Sequence, residues 1–257
     1  MIKGLEVFKN YFNDFKEQYV IIGGAACDIV FEEADMSFRA TKDIDMVLII
    51  EALTPEFGRR FWNFIGAGGY KNRVKSNGAP QFYRFDKPEE PSFPHMIELF
   101  ARSESVFNDD LYKCRPLHLG EEISSLSAIL LNSNYYQLLL SGKETLSGVT
   151  ILPDTYLVLF KAKAWLDLTE RKASGQSIDE KDIRKHKNDI ARLVALLTGN
   201  ESCIVPPSIH DDLTRFIEAF ESNPLDMKSL GIAGVTSTDI TDILKKIYTV
   251  PFSDFQF

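Results

Sequence analysis

Apolar residues recur at helical spacing in the opening stretch. Leu5, Phe8, Phe12 and Phe15 fall on one side of a helix over residues 5–17, which predicts an amphipathic element packed on a sheet. Tyr19-Val20-Ile21-Ile22 is short, apolar and β-branched, and Gly23-Gly24 cuts it off before the apolar run Ala25 to Phe31, so the pattern reads as strand, tight glycine turn, helix. A polar loop from Met36 to Lys42 leads into Asp43-Ile44-Asp45-Met46-Val47-Leu48-Ile49-Ile50, a buried strand with two carboxylates at its start. Next come a helix over Phe57 to Ile65, a turn at Gly66, Gly68 and Gly69, a strand around Gln81 to Phe85, and a third clear strand at His95 to Phe100. Short strands are expected near Ser127 to Leu131 and at Val149 to Leu152, joined by Tyr135 to Leu140.

The texture changes at Pro153. A long helical segment runs from Asp154 to about Ala173, and a second covers Asp179 to Leu197, with Ile183, Ile190, Leu193, Val194 and Leu197 at apolar positions. A further helix is expected over Asp211 to Glu221, and Thr236-Ser237-Thr238-Asp239 has the form of a capping box before Ile240 to Tyr248. The expected fold is therefore α/β: a mixed β-sheet with flanking helices in residues 1–152, followed by a helical C-terminal domain in residues 153–257.

Composition constrains this picture without naming a function. Hydrophobic residues make up 44% and charged residues 26% of the 257, as in ordinary globular proteins. A formal net charge of −8 argues against a protein that coats nucleic acid nonspecifically, since neutralising phosphates needs an excess of Lys and Arg. Cys27, Cys114 and Cys203 are too widely spaced for a zinc knuckle or a disulfide framework, and are expected to be buried thiols. No stretch reaches the roughly 20 apolar residues of a membrane span, and the N-terminus lacks a signal-peptide pattern, so no membrane association and a cytoplasmic location are expected.

Asp43 and Asp45 are the sharpest chemical feature. Side chains alternate across a strand, so this spacing puts both carboxylates on one face, suited to a divalent cation bound partly through substrate phosphates. Alone, such a pair is more often a solvated strand edge or turn. Gly23 and Gly24 lie where bare backbone lets a phosphate approach a helix N-terminus, although Gly-Gly is also a common tight turn. Glu98 interrupts the apolar run Met96 to Phe100, where a charge needs a metal or an ionic partner. Lys161 falls in line with Leu157, Trp165 and Leu168 on an apolar helix face, either snorkelling to water or serving a site, while Lys163 lies off that row within reach of Asp167. Arg39 and Lys42 flank the aspartates and are candidates for phosphate contacts. Arg102 and Arg115 are weaker ones. His95, His118 and His210 show no ligand spacing and read as structural.

The ordered set of strand, Gly-Gly, helix, Asp-x-Asp on a strand, then an acid on a later strand resembles the nucleotidyltransferase superfamily that includes DNA polymerase beta. Over roughly residues 18–197 it is most similar to the AbiEii/AbiGii-type toxin nucleotidyltransferases, through Val20-Ile21-Ile22-Gly23-Gly24-Ala25-Ala26, Arg39-Ala40-Thr41-Lys42-Asp43-Ile44-Asp45 and Met96-Ile97-Glu98-Leu99-Phe100. The resemblance implies a nucleotidyltransferase-like sheet and transfer of a nucleoside monophosphate from a nucleoside triphosphate. It implies Mg²⁺ or Mn²⁺ held by Asp43, Asp45 and Glu98, a nucleotide met by Gly23, Gly24, Arg39 and Lys161, and catalytic roles for Lys161 and, on the later helix, Asp189. Glu98 stands where the family commonly has aspartate, and His186 stands where its Lys-Asp-x-x-Asp pattern has its first acid. His186 shares a row with Ile183, Ile190 and Leu193, which also fits a core histidine. The implied partners are an antitoxin protein and an acceptor, with tRNA or another nucleic acid, a small molecule and a protein all left open. An inactive nucleotide-binding protein of the same fold and a kinase-like phosphotransferase are the competing readings.

Overall fold

The apolar runs become strands β1 (Tyr19–Ile22), β2 (Asp43–Leu48), β4 (Pro80–Asp86), β5 (Met96–Ala101) and β7 (Val149–Ile151), with β3 (Lys71–Val74) and β6 (Glu144–Leu146) added. The computed structural model describes residues 2–74, 80–101, 129–130 and 132–251. Together the strands form one seven-stranded mixed sheet in the order β3-β4-β5-β2-β1-β7-β6. β2 runs parallel to β5 and β1 parallel to β7, while β1–β2, β3–β4, β4–β5 and β6–β7 are antiparallel. All four residues of interior strand β1 are buried.

Alternation along the strands separates two faces. Tyr19, Ile44, Met46, Phe85 and Ile97 share one, through the registers Tyr19 with Leu48, Ile44 with Ile97 and Phe85 with Ile97. Against it pack helices α1 (Leu5–Phe12) and α3 (Pro55–Gly68). Their rings form a continuous cluster with the strands: Phe8 meets Tyr19 at 5.5 Å, Phe12 meets Phe64 at 5.4 Å, and Phe61 meets Phe85 at 5.4 Å. Each fully buried phenylalanine contributes about 1.5–3 kcal/mol of burial, so this cluster anchors the sheet. The opposite face carries Asp43, Asp45, Glu98 and Arg84.

Local outcomes differ from expectation in several places. The first α-helix stops at Phe12, and Asn13–Gln18 continues as 3₁₀ turns in which Phe15 has φ −122°, off the helical value. Gly23 and Gly24 are not a separate turn but the first residues of helix α2 (Gly23–Glu33). Gly66 and Gly68 belong to the last turn of α3, which Gly69 closes at φ +61°. Ile129 and Leu130 are helical rather than extended; the rest of the strand expected there lies outside the described residues.

The chain divides into two compact units, Met1–Leu131 with Gly142–Pro153, and Asn132–Ser141 with Asp154–Phe257. The last crossing between them falls after Pro153, and the chain also visits the second unit earlier, through helix α4 (Ser133–Gly142). The second unit adds α5 (Asp154–Ala173), α6 (Glu180–Val194), α7 (Pro207–Ser222) and α8 (Ser237–Ile247), with a two-stranded parallel ribbon of β8 (Cys203–Ile204) and β9 (Tyr248–Thr249). Asp179 caps α6 by accepting from the Lys181 amide at 2.9 Å, and Thr236 and Asp239 form the reciprocal capping box of α8. α7 starts at Pro207, four residues before Asp211, because proline suits a first helical turn. No helix among the described residues is long and apolar enough to cross a membrane.

Candidate functional site

Strand register gathers the site. Asp45 on β2 pairs with Glu98 on β5, and Glu98 pairs in turn with Arg84 on β4. Register partners present their side chains on one face, so Arg84, Glu98 and Asp45 form a row across three strands, with Asp43 two residues along β2 on the same face. On the other side of Asp45 the row continues to Ile22, the last residue of β1. Asp43, Asp45, Glu98 and Arg84 are all partly exposed, whereas the intervening Ile44 and Ile97 are fully buried.

Beyond Ile22 the chain turns at Gly23, whose φ of +69° is a left-handed value that glycine adopts without strain. A Cβ at Gly23 would collide with Asp45 Oδ2, so bare backbone lies directly against that carboxylate. At Gly24 a Cβ would fall 2.7 Å from Thr41 Oγ1 and 3.5 Å from an Arg39 terminal nitrogen. The Arg39 to Asp45 segment therefore folds back over the start of α2. That helix has no acidic residue in its first turn and no side-chain cap, which leaves its positive end suited to an anion. Arg39 stacks on Phe38 at 5.1 Å from the ring centre, while Lys42 is exposed.

Asp43 and Asp45 fit a hard divalent cation, because they offer carboxylate oxygens from alternate positions of one rigid strand. Glu98 does not join them as it stands. Its Oε1 accepts from Nε of Arg84 and is in ion-pair contact with Nη2, and among the described residues no three His, Cys, Asp or Glu side chains gather at one point where they could hold a metal ion. Arg84 escaped the sequence reading because the strand that carries it offered no unusual spacing.

The helical residues singled out by sequence come together within the second unit. Lys161 is 5% exposed and donates to Asp189 Oδ2 at 2.9 Å, with Asp189 fully buried between Lys161 and Arg192. Lys161 thus neither snorkels to water nor stands alone, and Asp189 is not a surface charge. Lys163 pairs with Asp212 at 2.9 Å instead of Asp167, which faces Arg171 at 3.7 Å, because α7 brings its own carboxylate to that side of α5. Tyr135 also donates to Asp212, and burial together with that carboxylate holds its phenol far above the usual range. His186 is half-buried on α6 and His95 is exposed. Cys27 and Cys203 are buried and in no disulfide, as expected, while Cys114, His118, Arg102 and Arg115 lie outside the described residues.

No family model and no curated protein matches the chain. Among solved structures it is similar to an antigenic nucleotidyltransferase-like protein from Paracoccidioides brasiliensis, at 13% sequence identity and a TM-score of 0.47, over 95% of this chain and 92% of that one.

Proposed function

We propose that the chain is a metal-dependent nucleotidyltransferase that moves a nucleoside monophosphate from a triphosphate to an acceptor hydroxyl. The observation that carries this reading is the placement of Asp43 and Asp45 on one face beside the side-chain-free start of α2, with Arg39 and Thr41 folded over the same glycines. Asp43 and Asp45 would hold one Mg²⁺ or Mn²⁺. Bound there, the ion supplies charge neutralisation at the phosphates during in-line displacement. Gly23 and Gly24 admit the phosphate tail to backbone amides, and Arg39 adds a guanidinium at the same end. A nucleic-acid hydroxyl such as a tRNA 3′ end is the acceptor class that the family resemblance favours, and a toxin role with an antitoxin partner belongs to the same proposal.

The test uses a triphosphate labelled at the α or the γ phosphorus, offered with total RNA, protein and small-molecule acceptors. Label carried from the α position into an acceptor, with Asp43→Asn and Asp45→Asn each falling on the order of 100-fold or more, is the expected result. Transfer of γ label alone would make the chain a phosphotransferase. Calorimetry of triphosphate with Mg²⁺ checks the binding step, and equal affinity in both Asn variants would sink the metal assignment.

A further inference from the structure

The acid in the middle of the row is committed before any metal arrives. Nε of Arg84 donates to Oε1 of Glu98 and Nη2 is in ion-pair contact with the same oxygen, the Glu98 side chain being 12% exposed against 30% for Arg84. A divalent cation taking that oxygen would displace a charge-assisted hydrogen bond and its ion pair, and leave a guanidinium facing it as a like charge. Keeping Glu98 on Arg84 satisfies both groups. It also leaves guanidinium N–H donors other than the Nε–H outside that hydrogen bond, held in a fixed fork on a partly exposed side chain.

Position gives those donors a task. With neighbouring strands about 4.8 Å apart, Arg84 stands roughly 10 Å across the row from Asp45. Gly23 and the start of α2 lie on the far side of Asp45. The two aspartates are thus bracketed by positive groups, the helix end on one side and Arg84 on the other. The register also puts Asp86 on this face, in line with Met96 and Asp43, so Arg84 stands among the carboxylates of Asp43, Asp45, Glu98 and Asp86, and a single divalent cation at Asp43 and Asp45 neutralises only part of their charge.

We propose that Glu98 is a positioning residue for Arg84 rather than a metal ligand, and that Arg84 contacts a phosphate of the substrate at the end of the row away from Gly23. This deepens the nucleotidyl-transfer reading and rests on it for the identity of the anion. One metal and one guanidinium then share the neutralisation that two metals would otherwise supply.

The experiment compares the full-length chain with its Glu98→Gln, Arg84→Gln and Arg84→Lys variants, each checked for cooperative thermal unfolding. Two probes are used: free Mn²⁺ titrated by electron paramagnetic resonance, and inorganic tripolyphosphate titrated calorimetrically in EDTA at low salt. Glu98→Gln is expected to leave Mn²⁺ affinity within about twofold of wild type and weaken tripolyphosphate binding severalfold, because the fork is no longer held. Arg84→Gln is expected to weaken tripolyphosphate about tenfold without weakening Mn²⁺, with Arg84→Lys in between, since it keeps the charge and loses the fork. A tenfold loss of Mn²⁺ affinity in Glu98→Gln would make Glu98 a ligand and overturn the proposal. Equal tripolyphosphate binding by wild type and Arg84→Gln, or none by wild type, would overturn it as well. Failure of the underlying transfer reading shows elsewhere, as Mn²⁺ binding that Asp43→Asn leaves intact, while the Arg84 comparison is still decided by the metal-free titration.

Discussion

Lys161 and Asp189 carry opposite charges to side chains that are 6% and 0% exposed, 2.9 Å apart. Desolvation of each ion is offset in part by the other, with Arg192 3.8 Å from the second carboxylate oxygen of Asp189, so removing one leaves a buried charge less compensated. Lys161→Met and Asp189→Asn are each expected to destabilise the protein by about 3–5 kcal/mol, measured by urea unfolding, and the double variant by less than the sum. Additive losses would show that the two do not act as a pair. At this scale the sequence is an uneven guide. That Asp43 and Asp45 share a face follows from a period of two residues within one strand, and the oddity of Lys161 follows from helical periodicity. Pairings of Glu98 with Arg84 and of Lys163 with Asp212 join residues distant in sequence, and each depends on which strand or helix lies alongside. Local spacing holds no information about that choice.

Helix α6 is tied to the end of α7 by one buried lysine. Lys187 donates from Nζ to the carbonyl of Asn223, which follows the last turn of α7, and lies 5.0 Å from the centre of the Phe220 ring. Burial holds its ammonium below the ordinary lysine range. Between that lowered value and the ordinary one near 10.4, the unfolded chain binds a proton that the folded chain has released, so this group's contribution to stability rises with pH across the window. Lys187→Met removes the rise. Urea unfolding of both proteins from neutral pH to about pH 10 is expected to show a stability difference that shifts toward the wild type as pH climbs, and a pH-independent difference would refute the assignment. The long helices were plain in the sequence because each carries a sustained apolar face or a capping residue, as at Asp179 and Thr236. Strands β3 and β6 were not. They are the two edge strands of the sheet, of four and three residues with sequences Lys-Asn-Arg-Val and Glu-Thr-Leu, extended because a neighbour pairs with them rather than through alternation of their own. Ile129 and Leu130 sit in a short apolar run, which periodicity alone does not assign to strand or helix.

Across the whole chain, the feature that local pattern hides most completely is the early visit of α4 to the helical unit. Tyr135, Tyr136 and Leu139 on this helix are at most 1% exposed. Tyr135 meets Asp212 and the Phe160 ring, and Asn134 donates to Ser208 at 2.8 Å, so α4 is seated on α5 and α7. A cut at the compositional break therefore separates this helix from its partners. Fragments 1–152 and 153–257 are each expected to be aggregation-prone or non-cooperative when produced alone, and to recover a cooperative thermal transition when produced together. Two fragments that each unfold cooperatively as soluble monomers would contradict the division. The same threading imposes an order on synthesis. Helix α4 is made before β7 has completed the sheet, and about 80 residues separate its end at Gly142 from the end of α7 at Ser222. At roughly 5–20 residues per second, its buried face waits on the order of 4–16 s after leaving the ribosomal tunnel for the helices that cover it. During that interval two tyrosines and a leucine are open to water, a stretch of the nascent chain on which a holding chaperone would act.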